Sequence, residues 1–171
     1  MLAGCGDNLT TEVMAAASIL RAEAPEWRVR VVNVVRLLTL GIPQKYPPGM
    51  KEPEFQRLFP LGCPVVFNFH GYTGAVKQLL WERPEAERFL INGYREEGTT
   101  TTPFDMQVRN LTSRYHLVLQ ACEAVAAKHP AVSARAEELA RKCERKLLDF
   151  KSYIVEHGHD PEEIADWRWP G

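Results

Sequence analysis

Residues 63–72, CPVVFNFHGY, decide the fold class. Val65 to Phe69 form a short β-branched and aromatic run, closed by Pro64 on one side and His70-Gly71 on the other. That pattern reads as a strand buried on both faces. Downstream, a helix is expected from about Gly74 to Trp81, then a short strand at Phe89-Leu90-Ile91. Upstream, Leu38 to Phe59 is rich in turn signals (GIP and YPPG), with a short helix over Pro53 to Leu58. Before it, RVRVVNVV, Arg28 to Val35, passes from polar/apolar alternation into a β-branched run and reads as another strand. A helix from Thr10 or Thr11 to Ala24 is stopped by Pro25 and carries Val13, Ala17, Leu20 and Ala24 at helical spacing. Met1-Leu2-Ala3 reads as a strand cut short, the expectation being that the chain is excised from a longer one.

Strands alternating with helices over the first hundred residues argue a mainly parallel sheet flanked by helices. After EEGTTTTPFDM, residues 96–106, the chain turns helical almost to its end. Leu111, Tyr115, Val118, Cys122 and Val125 form one stripe; Val132, Ala136, Leu139, Cys143, Leu147, Phe150 and Ile154 form another. The expectation is one domain over 1–171, with an α/β core over 1–102 and a mainly helical annex over 103–171.

Composition narrows the function classes. With 21 basic and 22 acidic residues and a net charge of -1, the chain has no electrostatic footprint for nucleic acid or an anionic membrane. No stretch approaches the roughly 20 apolar residues of a membrane span, and no secretory signal opens the chain, which favours the cytoplasm. Cys5, Cys63, Cys122 and Cys143 lack zinc-type spacing and read as reduced thiols in apolar surroundings.

Ligands of parallel sheets sit beyond the carboxyl ends of the strands. That edge is expected to carry Gly4 to Asn8, His70 to Thr73 and the region after Asn92. His70 there is a candidate acid, base or hydrogen-bond donor beside Tyr72, although a ring merely satisfied by backbone is the blander reading. Of the four threonines, Thr102 is expected to cap a helix, with Pro103 at its first position and Asp105 in a capping box. Thr99, Thr100 and Thr101 then order an edge or connecting strand; the rival reading is an anion cradle, weakened by Glu96, Glu97 and Asp105 and by the lack of a following lysine. Gly4-Cys5-Gly6 fails as a dinucleotide fingerprint because Leu9 holds the third glycine position. Gly6-Asp7-Asn8 with Asn33 imitates a thiamine diphosphate motif but lacks the glycine after the aspartate; Asp7 or Thr10 is expected to cap the first helix. His157 and His159 read as a solvated helix terminus and not a metal site, and Trp167 and Trp169 as aromatics docked on this domain or a neighbour.

Taken together, RVRVVNVVRLLTL, CPVVFNFHGYTGAVKQLLW, INGYREEGTTTTPFDMQVRNLTSRYHLV and the closing EHGHDPEEIADWRWPG resemble the C-terminal domain of bacterial phosphoketolases over essentially the whole chain. The resemblance implies a three-layer α/β/α domain of transketolase C-terminal type, around a five-stranded mixed, mostly parallel sheet. It implies a homodimeric full-length enzyme using thiamine diphosphate and Mg2+ to cleave xylulose 5-phosphate or fructose 6-phosphate with phosphate, giving acetyl phosphate and an aldose phosphate. It places the cofactor on the preceding domains of the same chain, so this domain is expected to hold no catalytic, cofactor or metal residue. His70, Tyr72 and Thr99 to Thr102 remain as a ligand or interdomain edge. The rival readings are a small-anion or nucleotide-binding regulatory module, and a natural separate subunit; the reading frame upstream of Met1 discriminates the latter.

Overall fold

The computed structural model describes residues 1–95 and 100–170. Four strands, β1 (Leu2–Cys5), β2 (Val31–Asn33), β3 (Val65–Phe69) and β4 (Phe89–Asn92), form a sheet in the order β2-β1-β3-β4. All pairings are parallel: Leu2 lies opposite Val31 and Val66, and Val65 opposite Phe89. The α/β class and its layers are those expected, but the resemblance implied five strands and a mixed sheet where the described residues supply four parallel ones. Beyond β4 the chain leaves the edge: the Tyr94 N–H donates to the Gly71 carbonyl at 2.9 Å, tying it to the turn after β3.

Right-handed crossovers account for the layers. Helix α1 (Asp7–Glu23) carries the chain outward from β1 to β2, while α2 (Glu52–Leu58) and α3 (Thr73–Leu80) accompany the steps back to β3 and on to β4. Opposite directions of travel put α1 on one face and α2 and α3 on the other. Alternate residues of the strands follow this division. Leu2 and Val66 pack with Val13, Ala16, Ala17 and Leu20 of α1. Ala3, Val65, Phe67 and Phe89 pack with Phe55, Phe59, Val76 and Leu80. Gly4 lets α1 lie close, since a Cβ there would sit 3.2 Å from Thr10 Cα.

The rest of the chain forms α4 (Pro103–Arg109), α5 (Arg114–Lys128), α6 (Ser133–His157) and α7 (Glu162–Ala165). Leu117, Val118 and Cys122 of α5, with Ala136, Leu139 and Cys143 of α6, join the α1 face of the sheet in one core. Leu111, expected on the α5 stripe, instead lies between α4 and α5 with φ 57°, a left-handed turn that reverses the chain. Phe104, Phe150 and Ile164 make a smaller cluster that holds the C-terminal segment. Helix α1 begins one residue after Gly6, whose φ is 108°, and has no side-chain cap. Thr10, one of the expected caps, donates its hydroxyl to the Gly6 carbonyl at 2.7 Å, and Asp7 sits in the first turn, where its charge suits the helix dipole.

Candidate functional site

The direction of the crossovers reverses between β1 and β3, so a crevice is expected at their carboxyl ends. One is present. It encloses about 250 Å3 and is lined by Asn8, His70, Gly71, Tyr94, Gln107 and Asn110 among others. Gly6 is required beside it: a Cβ at that position would lie 2.5 Å from the His70 Cβ, and the positive φ already disfavours any other residue. Asn110 fixes one wall by accepting the Arg95 N–H at 2.6 Å. The Gln107 Oε1 is buried without a hydrogen-bond partner.

The residues singled out from sequence divide into two groups. His70 is exposed at the crevice, and Tyr72, 56% exposed, meets Tyr94 edge-on with ring centroids 5.2 Å apart. Thr101 and Thr102 belong instead to the start of α4. The Thr102 hydroxyl accepts from the Asp105 N–H at 3.3 Å, the expected cap. The Asp105 carboxylate accepts from the Thr101 hydroxyl and from Arg109 Nε, both at 2.7 Å. Thr100 is exposed and outside any strand, while Thr99 lies outside the described residues with Glu96, Glu97 and Gly98.

Electrostatics at this end of α4 are already committed. The Phe104 N–H donates to Asp160 Oδ2 at 2.9 Å, and Asp105 itself is buried in the first turn. Two carboxylates of the protein therefore occupy the position that an anionic ligand would take.

Reasoning from sequence missed the buried polar groups around the crevice. Asn68 on β3 is fully buried and donates to the carbonyls of Leu9 at 3.3 Å and Thr112 at 2.9 Å. Glu12 and Arg114 form a buried pair: Glu12 Oε1 takes Arg114 Nη2 at 2.6 Å, and Oε2 takes the Nε at 3.0 Å and the backbone N–H at 2.6 Å. Arg114 also lies 5.4 Å from the Phe104 ring and 5.6 Å from that of Trp167, which docks the tryptophan tail on this domain. A signal existed for Glu12, which stands between Leu9 and Ala16 on the buried stripe of α1; a charge there demands a partner. Nothing in the sequence named Arg114 as that partner.

The thiols offer no nucleophile in the core. Burial pushes Cys122 up to about 11 and Cys143 up to about 12, so both stay protonated at neutral pH. Nor do the residues present fit the thiamine diphosphate and Mg2+ that the resemblance implies for the whole enzyme. Asp7 and Asn8 are wound into the first turn of α1, whose Thr10 N–H and hydroxyl both close on the Gly6 carbonyl. Among the described residues no three His, Cys, Asp or Glu side chains converge as a cation site.

What the fold and this edge define is a parallel α/β/α domain whose buried charges are neutralised internally. The sequence profile of the XFP C-terminal domain matches residues 1–169, and the chain belongs to that family. It is 45% identical over 169 residues to a probable phosphoketolase of Pseudomonas putida, covering 99% of this chain and 21% of that protein. A probable phosphoketolase of Bradyrhizobium diazoefficiens is 42% identical over 171 residues, with 100% and 21% covered, and a probable phosphoketolase 2 of Nostoc sp. 40% over 170 residues, with 99% and 21%. The chain thus spans about a fifth of the length of the curated relatives it matches. Among the described residues no helix is long and apolar enough to cross a membrane.

Proposed function

We propose that this domain is the C-terminal part of a phosphoketolase, which braces the preceding domains and completes a homodimer in the cytoplasm. The full-length enzyme cleaves xylulose 5-phosphate or fructose 6-phosphate with phosphate, giving acetyl phosphate and an aldose phosphate. Thiamine diphosphate and Mg2+ are held by the preceding domains, and the 171 residues alone are inactive. One observation carries this reading: nearly every residue aligns with proteins named probable phosphoketolase, yet accounts for only 21% of each. The internal pairing of Glu12 with Arg114 and of Asp105 with Arg109 supports a bracing role, because neither pair leaves a charge free for chemistry.

In this reading the carboxyl edge that bears His70 and Tyr72, with Thr100 to Thr102 leading into α4, faces the preceding domains of the same chain. Support comes from the apolar groups exposed there: Val35, just past β2, is 89% exposed, and Tyr94 is 42% exposed. The test is an assay of acetyl phosphate with each ketose phosphate, phosphate, thiamine diphosphate and Mg2+. The full-length protein turns over and the isolated domain does not; turnover by the isolated domain would overturn the reading. Calorimetric titration of the domain with phosphate, sugar phosphates and adenine nucleotides is expected to give no heat of binding, in line with the carboxylates already seated at α4. Saturable binding would favour a regulatory module instead.

A further inference from the structure

At the opposite, amino end of the sheet lies a second groove, of about 480 Å3. Its walls are apolar: Trp27, Pro64, Val66 and, from α5, Ala121, Ala124 and Val125. Its rim carries Arg28, Lys128 and His129, and no carboxylate is among its lining residues. Met1 lies in it, with its amino nitrogen donating to the Pro64 carbonyl at 2.9 Å. Burial holds that ammonium below its ordinary pKa, whereas a peptide N–H in the same place makes the same hydrogen bond with no charge to desolvate. The Trp27 indole N–H is buried with no acceptor, an unusual state for a group of that kind. β1 is an interior strand, paired on both sides, so any chain preceding Met1 would arrive over this amino edge.

We propose that the residues immediately preceding Met1 in the longer protein occupy this groove in an extended conformation. An apolar side chain of that segment packs on Ala121, Ala124 and Val125, a backbone carbonyl accepts from the Trp27 Nε1–H, and an acidic side chain meets the cationic rim. The groove is then the latch by which the preceding domains are joined to this one. The inference rests on the reading of the chain as the C-terminal part of a longer enzyme.

Cys63 lines the groove and supplies the probe. In the full-length protein, single cysteines are placed at each of about ten positions before residue 1, enough to span the groove at about 3.3 Å per extended residue. Mild oxidation follows, and disulfides to Cys63 are mapped by peptide mass spectrometry. Because a disulfide needs Cβ atoms about 4 Å apart, cross-linking is expected at one or two neighbouring positions only. It should exceed the other positions by about tenfold through the local effective concentration, and vanish in Cys63→Ser. Uniformly weak cross-linking at all positions overturns the groove. A second measurement does not depend on the thiols: Ala124→Arg, which fills the groove, should speed proteolytic cleavage of the upstream segment, and an unchanged rate counts against the proposal. Acetyl phosphate formation by the wild-type full-length protein is read in parallel. An active enzyme without cross-links sinks the groove alone, and a cross-linked but inactive enzyme sinks the phosphoketolase reading alone.

Discussion

The two helical layers that flank the sheet solve the same packing problem with different chemistry. On the α2/α3 side the filling is aromatic, with Phe55, Phe59 and Phe89 packed as tilted rings at centroid distances of 5.1 to 6.1 Å. Its buried cation, Arg83, donates to the backbone carbonyls of Leu40, Gly41 and Met50, pairs with Glu52, and lies 4.2 Å from the Phe55 ring. These contacts fasten the loop that follows β2. On the α1/α5 side the filling is aliphatic, and where α1 meets the sheet the residues are small, Gly4 with Ala16 and Ala17, so the helix sits close. The buried cation there, Arg114, meets a carboxylate 102 residues earlier in the chain. The aromatic layer secures its own neighbourhood, while the small-residue layer joins the first helix to the C-terminal half.

That contrast can be broken in four ways. Glu12→Ala leaves a buried guanidinium and a buried N–H without their acceptor and should cost about 5 kcal/mol by urea unfolding, the upper end for a broken buried pair. Glu12→Leu with Arg114→Met should recover much of the loss, though not the part owed to the orphaned Arg114 N–H. Phe59→Ala on the other side removes a fully buried ring and should cost about 4 kcal/mol through lost burial and the cavity left behind. Gly4→Val would force α1 away from the sheet for about 2 kcal/mol, with no counterpart in the aromatic layer.

The smallest effect is a pH dependence confined to the α5 side. Burial, and then Arg95, hold His116 below its ordinary 6.5, so the folded state favours the neutral ring, which shares a 2.7 Å hydrogen bond with Ser113. Its share of the stability is complete above pH 6.5 and declines as pH falls through that value toward the lower folded pKa. His116→Gln should flatten unfolding curves in that window, while Phe59→Ala should leave their pH dependence unchanged.

Much of the fold could be read along the chain because its signals are local. Val65–Phe69 was legible as a strand from its β-branched run and its closing His-Gly. The start of α4 was legible from Thr102-Pro103 and the Asp105 that follows. Readings failed where a contact from far away overrode the local pattern. Arg28 to Val35 offers eight strand-like residues, yet β2 is only Val31–Asn33, paired with Leu2 to Gly4 of β1. Leu111 fits a helical stripe by spacing but is turned out by the reversal between α4 and α5. At the crevice, sequence placed Asn8, His70 and Tyr72 by their positions after strands, but Gln107 and Asn110 come from α4 and its end, which only the folded chain brings beside them.

The sequence by itself determined the kind of element at each stretch, the α/β class and the family, since periodicity, capping and shared motifs are properties of neighbouring residues. Tertiary structure alone decided which buried polar groups are satisfied and by whom: Glu12 by Arg114, the Phe104 amide by Asp160, Arg83 by Glu52 and by carbonyls of a distant loop. Such pairings depend on three-dimensional proximity, and a buried charge records in the sequence only that it needs a partner, not where the partner stands.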